Sequence, residues 1–466
     1  MKAKPVSTGA RVSLKIIDLG RGGEGVGRYE DLVVFVPGAI PGDTVAVEIT
    51  AVKKKFARGK ILAVEEPSPS RVPARCEVAG WCGGCDLQHM RYSDQLKYKE
   101  KAVRDALVRI GGFRDRVGSL VRPIIGAENP WFYRNKAQFP FGVDEGRVVT
   151  GYYARGTHEV VPAVNCSIQH PLANRIATEV RRLAEEHGLT VYKETTDEGF
   201  LRHLVIRVGT GSGEALAVLV TRHRTFPEGR ELARRLMEAV PELVGVVQNI
   251  NPRQTNVIMG KESRVLAGRG SLVDQLGGLR FRISPGSFFQ VNPEQTEVLY
   301  NKVVEYAGLD GTETVVDAYC GIGTIALFLA RRAAKVYGIE VVKEAVEDAR
   351  YNARLNGIGN VDFRVGAVEE ILQKLASPEH PPDLVVLDPP RKGCDEETLE
   401  VLVRIGVPRV VYVSCNPATL ARDLGWLNRR GYTLLEVQPV DMFPHTGHVE
   451  CCCLLKANNE VFPRPE

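Results

Sequence analysis

The spacing of apolar residues changes its period along the chain. From residue 8 to 66, apolar and polar positions alternate in short runs, VSLKI, DLVVFVP, TVAVEIT and KILAVEE, broken by GRGGEGVGR and PGAIPGD. Alternation of this kind turns one face of each strand inward. The segment therefore predicts a small OB-like β-barrel, which closes without free edges and whose surface commonly holds nucleic acid. PSPSRVPAR follows as a linker. From Ser93 to Ile110 the period becomes helical, with Leu96, Val103, Leu107 and Ile110 on one face, Ser93 as N-cap and Gly111-Gly112 as the stop.

Residues 130–280 mix strands with helical stretches such as LANRIATEVRRLAEEHG and GRELARRLMEAV. LRHLVIRVGTGSGEALAVLVT predicts a hairpin turning at Thr210 to Gly213, so this region reads as α+β. Beyond about residue 281, strand and helix alternate: TVVDAY, IALFLARRA, KVYGIE, AVEDARYNARLNG, VDFRVG, DLVVLD, RVVYVS and a final strand pair. Such alternation requires a mostly parallel sheet with helices on both faces. The predicted class is multi-domain: a barrel over 1–70, a central α+β domain over 71–280, and an α/β Rossmann-like domain over 281–466.

Composition adds limits to this picture. With 466 residues, 44% hydrophobic and 25% charged, the chain can bury several cores and is neither disordered nor fibrous. No apolar run approaches the roughly 18 to 20 residues of a bilayer span, and the start MKAKPVSTGA lacks a secretory segment. Cytoplasm is the expected compartment. The net charge of +4 is uneven: residues 1–75 hold 13 Lys and Arg against 8 Asp and Glu, including Lys53, Lys54, Lys55, Arg58 and Lys60. That excess suits a phosphate backbone as well as an ordinary solvated face.

Candidate chemistry concentrates in the last domain. TVVDAY runs into Cys320-Gly321-Ile322-Gly323-Thr324, whose glycines let backbone approach a ligand at the carboxyl end of a strand. The next strand ends in Glu340, where a carboxylate can accept from both ribose hydroxyls. An NAD-type unit shares that loop, with Ala326 as a permitted third position. Asp388-Pro389-Pro390 at the end of the fourth strand instead follows the order of S-adenosylmethionine-dependent methyltransferases. Cys415 follows VVYVS at the ligand-binding edge of the sheet, either as a reactive thiol or as a small buried hydrophobe. Glu450 opens the apolar strand CCCLLKA, where an apolar wall can raise its pKa toward that of a useful base. Cys451, Cys452 and Cys453 alternate faces and read as core filling.

Upstream, Cys76, Cys82 and Cys85 fall in one tight loop, and Cys166 is the remaining cysteine before the last domain. In a reducing compartment such a set points to metal, and zinc and iron-sulfur both accept four thiolates. Aromatic and basic residues interleave in Trp131-Phe132-Tyr133-Arg134-Asn135-Lys136 and in Tyr152-Tyr153-Ala154-Arg155, a pattern that serves RNA stacking or core packing.

Together WCGGC, YRNKAQFP, SFFQVN, DAYCGIGT, DPPRKG, SCNP and FPHTGHVE make nearly the whole chain resemble the RNA uracil-5-methyltransferases that carry a TRAM domain, an iron-sulfur centre and a class I methyltransferase domain. The resemblance implies methylation of carbon 5 of a uridine in 23S rRNA, with Cys415 as nucleophile and Glu450 as base. It implies that Gln290, Tyr319, Thr324, Glu340 and Asp388 hold S-adenosylmethionine, and that Cys76, Cys82, Cys85 and Cys166 ligate a [4Fe-4S] cluster. It also implies that the 93–120 helix packs on the catalytic domain, that unpaired ribosomal RNA is the partner, and that neither a membrane nor an obligate protein partner is involved. The alternatives are an RNA cytosine-5 methyltransferase and a non-catalytic, metal-stabilised RNA-binding protein.

Overall fold

The computed structural model describes residues 6–375 and 381–458. The first five residues of MKAKPVSTGA lie outside that range. The alternating segment closes into a barrel of β1 (Arg11–Leu19), β2 (Gly25–Tyr29), β3 (Leu32–Val36), β4 (Thr44–Val52) and β5 (Phe56–Glu66), in the order β1-β2-β3-β5-β4 with β4 paired back to β1. Every second residue points inward, so Leu14, Ile16, Val34, Val36, Val45, Val47 and Ile49 fill the interior. Lys53, Lys54 and Lys55 are exposed on the turn between β4 and β5.

The helix Tyr92–Ala106 continues as a π-helical turn over Leu107–Gly111 and stops at Gly112, whose φ of 82° suits glycine. Two expectations are corrected here. The N-cap is Arg91, without a side-chain cap bond, so Ser93 lies within the first turn. Val103 and Leu107 are buried, but Ile110 is 46% exposed, because the wider π turn rotates it away from the packed face. That face packs with Leu420, Ala421 and Leu424 of the helix Pro417–Asn428.

The central sheet contains β6 (Lys136–Asp144), β7 (Arg147–Tyr153), β8 (Val160–Pro162), β9 (Leu201–Val208), β10 (Ala215–Thr221), β11 (Leu243–Ile250) and β12 (Glu262–Gly268), ordered β12-β11-β10-β9-β6-β7-β8. The β9–β10 hairpin has the predicted turn. The helices Pro171–Glu186 and Gly229–Ala239 lay their apolar stripes on one face of this sheet. A hairpin, β13 (Leu272–Leu276) and β14 (Leu279–Ile283), shares a core with the last domain.

That domain is built on β15 (Thr314–Ala318), β16 (Lys335–Glu340), β17 (Val361–Val365), β18 (Leu384–Leu387), β19 (Arg409–Ser414), β20 (Tyr432–Val440) and β21 (Glu450–Ala457), ordered β17-β16-β15-β18-β19-β21-β20. The first five strands run parallel and β21 runs antiparallel to both its neighbours. Helices bury both faces of the sheet, which is why β18 and β19 read as unbroken apolar runs. Cys452 enters one core while Cys451 and Cys453 enter the other. Strand order reverses between β15 and β18, the crevice where open α/β sheets bind ligands. No helix among the described residues is long and apolar enough to cross a membrane.

Candidate active site

Past the end of β15 the chain turns sharply. Tyr319 has φ 69°, a left-handed conformation costly for a residue with a side chain, and Gly321 and Gly323 follow at 54° and 84°. A Cβ on Gly323 would lie 2.8 Å from the Phe363 ring, whereas one on Gly321 would meet nothing within 4 Å. The loop thus packs tightly on one side and stays open on the other. Glu340 faces it: the Gly321 N–H donates to its Oε2 at 3.2 Å and the Val342 N–H to Oε1 at 2.8 Å. Thr324 shares a hydrogen bond with the Tyr300 hydroxyl at 3.2 Å, and the Tyr319 hydroxyl reaches Thr398 at 3.5 Å. Gln290 is buried, and its carbonyl accepts from Asn135 Nδ2 at 3.1 Å.

Carboxyls gather at this crevice. Asp317, wholly buried on β15, has no hydrogen-bond partner on either oxygen. Burial, and then the neighbouring Asp388, push it well above the usual carboxylate range. Burial also raises Asp388 to about 7. Glu450, 3% exposed, is raised well above its ordinary value by burial and by Asp388, while Arg391 opposes the shift.

Cys415 and Glu450 come together where the antiparallel β19–β21 ladder ends. Ser414 pairs with Cys451 as its last pair, and Cys415 and Glu450 are the residues next to that pair. Burial pushes the Cys415 thiol up to about 11, Glu450 adds to the shift, and Arg391 counters it. Asn416 caps the following helix at the Ala418 N–H and donates to the Arg391 carbonyl at 2.9 Å, joining the Cys415 turn to the Asp388–Arg391 segment. A cavity of about 440 Å³ opens beside Cys415.

The segment before Glu450 is held from afar. Lys99 donates to Asp441 Oδ1 at 2.6 Å and to the Phe443 carbonyl at 2.9 Å, and the Tyr92 hydroxyl donates to Asp441 Oδ2 at 2.9 Å. The His445 carbonyl accepts the N–H groups of Asp86 and Leu87 at 2.8 and 2.9 Å. Trp131 stacks on the His445 ring with centroids 3.8 Å apart.

Asp86 and Leu87 directly follow the cysteine loop. Cys76, Cys82, Cys85 and Cys166 line one cavity of about 340 Å³. The Gly84 N–H donates to Cys82 Sγ at 3.4 Å and Gln88 Nε2 to Cys85 Sγ at 3.2 Å. Burial pushes Cys82 up to about 11 and Cys85 to about 12. Among the described residues, no group of three or more His, Cys, Asp or Glu side chains is gathered as the ligands of a metal ion. Several nearby rings are engaged in packing: Tyr133 and Tyr152 beside Cys166, Tyr153 on His158, and Phe132 under Arg75.

Comparison with known proteins sets this geometry in context. Residues 201–458 match the family model tRNA (Uracil-5-)-methyltransferase, and residues 5–62 match the TRAM domain. An uncharacterized RNA methyltransferase of Bacillus cereus is 47% identical over 451 residues, 97% of each chain. One from Caldanaerobacter subterraneus is 47% identical over 97% of this chain and 99% of its own. The crystal structure of the Pyrococcus abyssi tRNA (uracil-54, C5)-methyltransferase with S-adenosyl-L-homocysteine is 27% identical, with a TM-score of 0.77 covering 95% of this chain and 99% of that one.

The chain belongs to the tRNA (uracil-5-)-methyltransferase family. As a family member it is an S-adenosylmethionine-dependent RNA methyltransferase with an N-terminal TRAM barrel. Two residues of the site were not singled out from sequence, and the exposure of one aromatic was not legible either. Asp317 opens the glycine motif, and its orphaned carboxyl is a property of burial that spacing does not reveal. Arg391 follows the Asp388 motif, and its influence on Cys415 arises only once β18 and β19 are neighbours. Phe288 is 67% exposed while the adjoining Phe289 is buried. SFFQVN displays two aromatics but not which one faces out.

Proposed function

We propose that this enzyme methylates carbon 5 of a uridine in 23S rRNA through transient addition of Cys415 to carbon 6 of the ring. Carbon 5 of uracil is a poor nucleophile. Cys415 gives its thiol proton to solvent, and formation of the sulfur–carbon bond at carbon 6 by the thiolate pushes the ring electrons into an enolate, whose carbon 5 attacks the methyl group. The methyl–sulfur bond breaks and its electrons stay on the donor sulfur. Glu450 then takes the proton from carbon 5, and the ring expels the Cys415 thiolate. The observation that carries this reading is that Cys415 and Glu450 flank the last pair of the β19–β21 ladder, close enough for Glu450 to raise the thiol and for Asp388 to raise Glu450. Arg391 favours the thiolate.

Gln290, Tyr319, Thr324, Glu340 and Asp388 fit S-adenosylmethionine. The open face of Gly321 admits a ligand, Glu340 retains lone pairs for ribose hydroxyls, and the unpartnered Asp317 carboxyl suits a cationic donor. For a [4Fe-4S] cluster, the support is that Cys76, Cys82, Cys85 and Cys166 line one cavity and that two of their sulfurs accept N–H groups, while their thiols are not drawn together as ligands in this structure. Bound there, the cluster would cross-link the central domain. This reading places the domains at 1–70, 71–280 and 281–466, and the enzyme in the cytoplasm without membrane or obligate protein partner.

Replacing Cys415 by Ala should abolish methyl transfer while S-adenosylmethionine still binds. Glu450→Gln should instead accumulate a covalent protein–RNA adduct, seen as a band of low mobility on a denaturing gel, because methylation precedes the blocked proton removal. Turnover by Cys415→Ala would end the proposal. One observation favours a second target: the Pyrococcus abyssi protein, named for its action on tRNA, matches 95% of this chain, so transfer RNA is the alternative. Mass-spectrometric mapping of 5-methyluridine and 5-methylcytidine in 23S rRNA and tRNA from cells lacking the protein separates the two, and would expose a cytosine-5 activity as well.

A further inference from the structure

The 440 Å³ cavity beside Cys415 has three walls from distant parts of the chain: the turn between β1 and β2, the helix Tyr92–Ala106, and the Cys415–Ala418 and Gly447–Val449 segments. We propose that it seats the ribonucleotide adjoining the target pyrimidine, and that Arg21 of the barrel turn contacts that nucleotide's phosphate. The inference rests on the methyltransferase reading above.

The barrel turn is built into this wall by close approach. A Cβ on Gly447 would lie 2.6 Å from the Arg21 carbonyl oxygen and 2.8 Å from the Gly23 nitrogen, and one on Gly23 would lie 2.6 Å from Asp86 Cβ. Only residues without side chains bring these three backbones together. Asp18 also bonds Lys101 at 2.6 Å, pinning the barrel to the helix.

Charge selects the occupant. Lys99 is neutralised by Asp441, and Arg109 lies 3.4 Å from Asp105. Arg391 already acts on Cys415 and Glu450, whereas Arg21 is exposed and forms no ion pair among the described residues, leaving its guanidinium free at the cavity. A guanidinium of this kind suits phosphate. Tyr98 lines the same cavity. Glu450 and Asp388 do not line this cavity, so it cannot be the seat of the target ring, which has to touch Cys415 and Glu450 at once. The neighbouring nucleotide of the same strand is the moiety that reaches Cys415 from this side.

The probe is fluorescein-labelled decauridylate with the full-length holoprotein. Binding is followed by polarisation, and iodoacetamide labelling of Cys415 by peptide mass spectrometry. Saturating RNA should slow Cys415 labelling several-fold in the wild type. Arg21→Ala should lose that protection and reduce the salt slope of binding by about 0.7, the share of one phosphate on a single strand. Arg21→Lys should keep the slope, and S-adenosylmethionine affinity should be unchanged throughout. Protection equal to wild type in Arg21→Ala, or no protection in the wild type, overturns the proposal. If methyluridine mapping succeeds while protection is absent, only the seat is wrong. If protection depends on Arg21 while no methyluridine is lost from cells, the seat stands and the methylation reading falls.

Discussion

Asp317, Asp388 and Glu450 are carboxyls that prefer to keep their protons. Each is penalised for ionising by burial first, and Asp317 and Glu450 also by Asp388. A sulfonium cation among them reverses that preference, because an opposite charge in a poorly hydrated site favours the ionised form. Binding of S-adenosylmethionine should therefore release protons and tighten as pH rises toward and through about 7, the value to which Asp388 is raised. S-adenosylhomocysteine has a neutral sulfur and should show a much flatter dependence. Isothermal calorimetry in two buffers of different ionisation enthalpy tests the difference. Equal proton release for both ligands would mean that these carboxyls do not sense the sulfonium.

At the scale of elements, period and motif order predicted the barrel, the β9–β10 hairpin and the parallel sheet, because each depends on residues near one another in sequence. The crevice's elements were legible because the glycine loop, Glu340 and Asp388 each stand at the carboxyl end of a parallel strand, β15, β16 and β18, that the sheet places side by side. Sequence could not show what fixes the helix Tyr92–Ala106 and the segment before Glu450. Lys99 and Asp441 are 342 positions apart, and lysine on a helix ordinarily reads as a solvated face. Here Lys99 is 3% exposed and Asp441 fully buried. Removing one partner leaves an uncompensated charge in the interior, so Lys99→Met should cost about 3–5 kcal/mol. Urea unfolding at neutral pH reads that loss, and Lys99→Met/Asp441→Leu should recover part of it. A single variant as stable as wild type would show that the pair adds nothing. The π turn that moves Ile110 off the packed face was equally invisible, since its apolar spacing fits an ordinary helix.

Across the whole molecule, the cysteine loop and Glu450, the proposed base, are mechanically joined. Cys85 is followed at once by Asp86 and Leu87, whose N–H groups hold the His445 carbonyl. Asp86 also bonds Arg155 at 2.7 Å, and Arg155 donates to the Cys85 carbonyl at 3.2 Å. Five residues beyond His445 stands Glu450, with the intervening Gly447 wedged against the barrel turn. Disorder in the cysteine loop should thus reach Glu450 without any change at the crevice beyond β15 where the methyl donor is proposed to bind. Cys82→Ser is the probe, because Cys82 lines the cysteine cavity and touches neither His445 nor Glu450 in the contacts described above. If the four cysteines hold the proposed cluster, the expected outcome is loss of iron from the purified protein, faster amide exchange over residues 445–449, a fall in kcat, and unchanged affinity for S-adenosylmethionine. Iron loss with exchange and kcat both intact would confine the four cysteines to the central domain and separate them from catalysis.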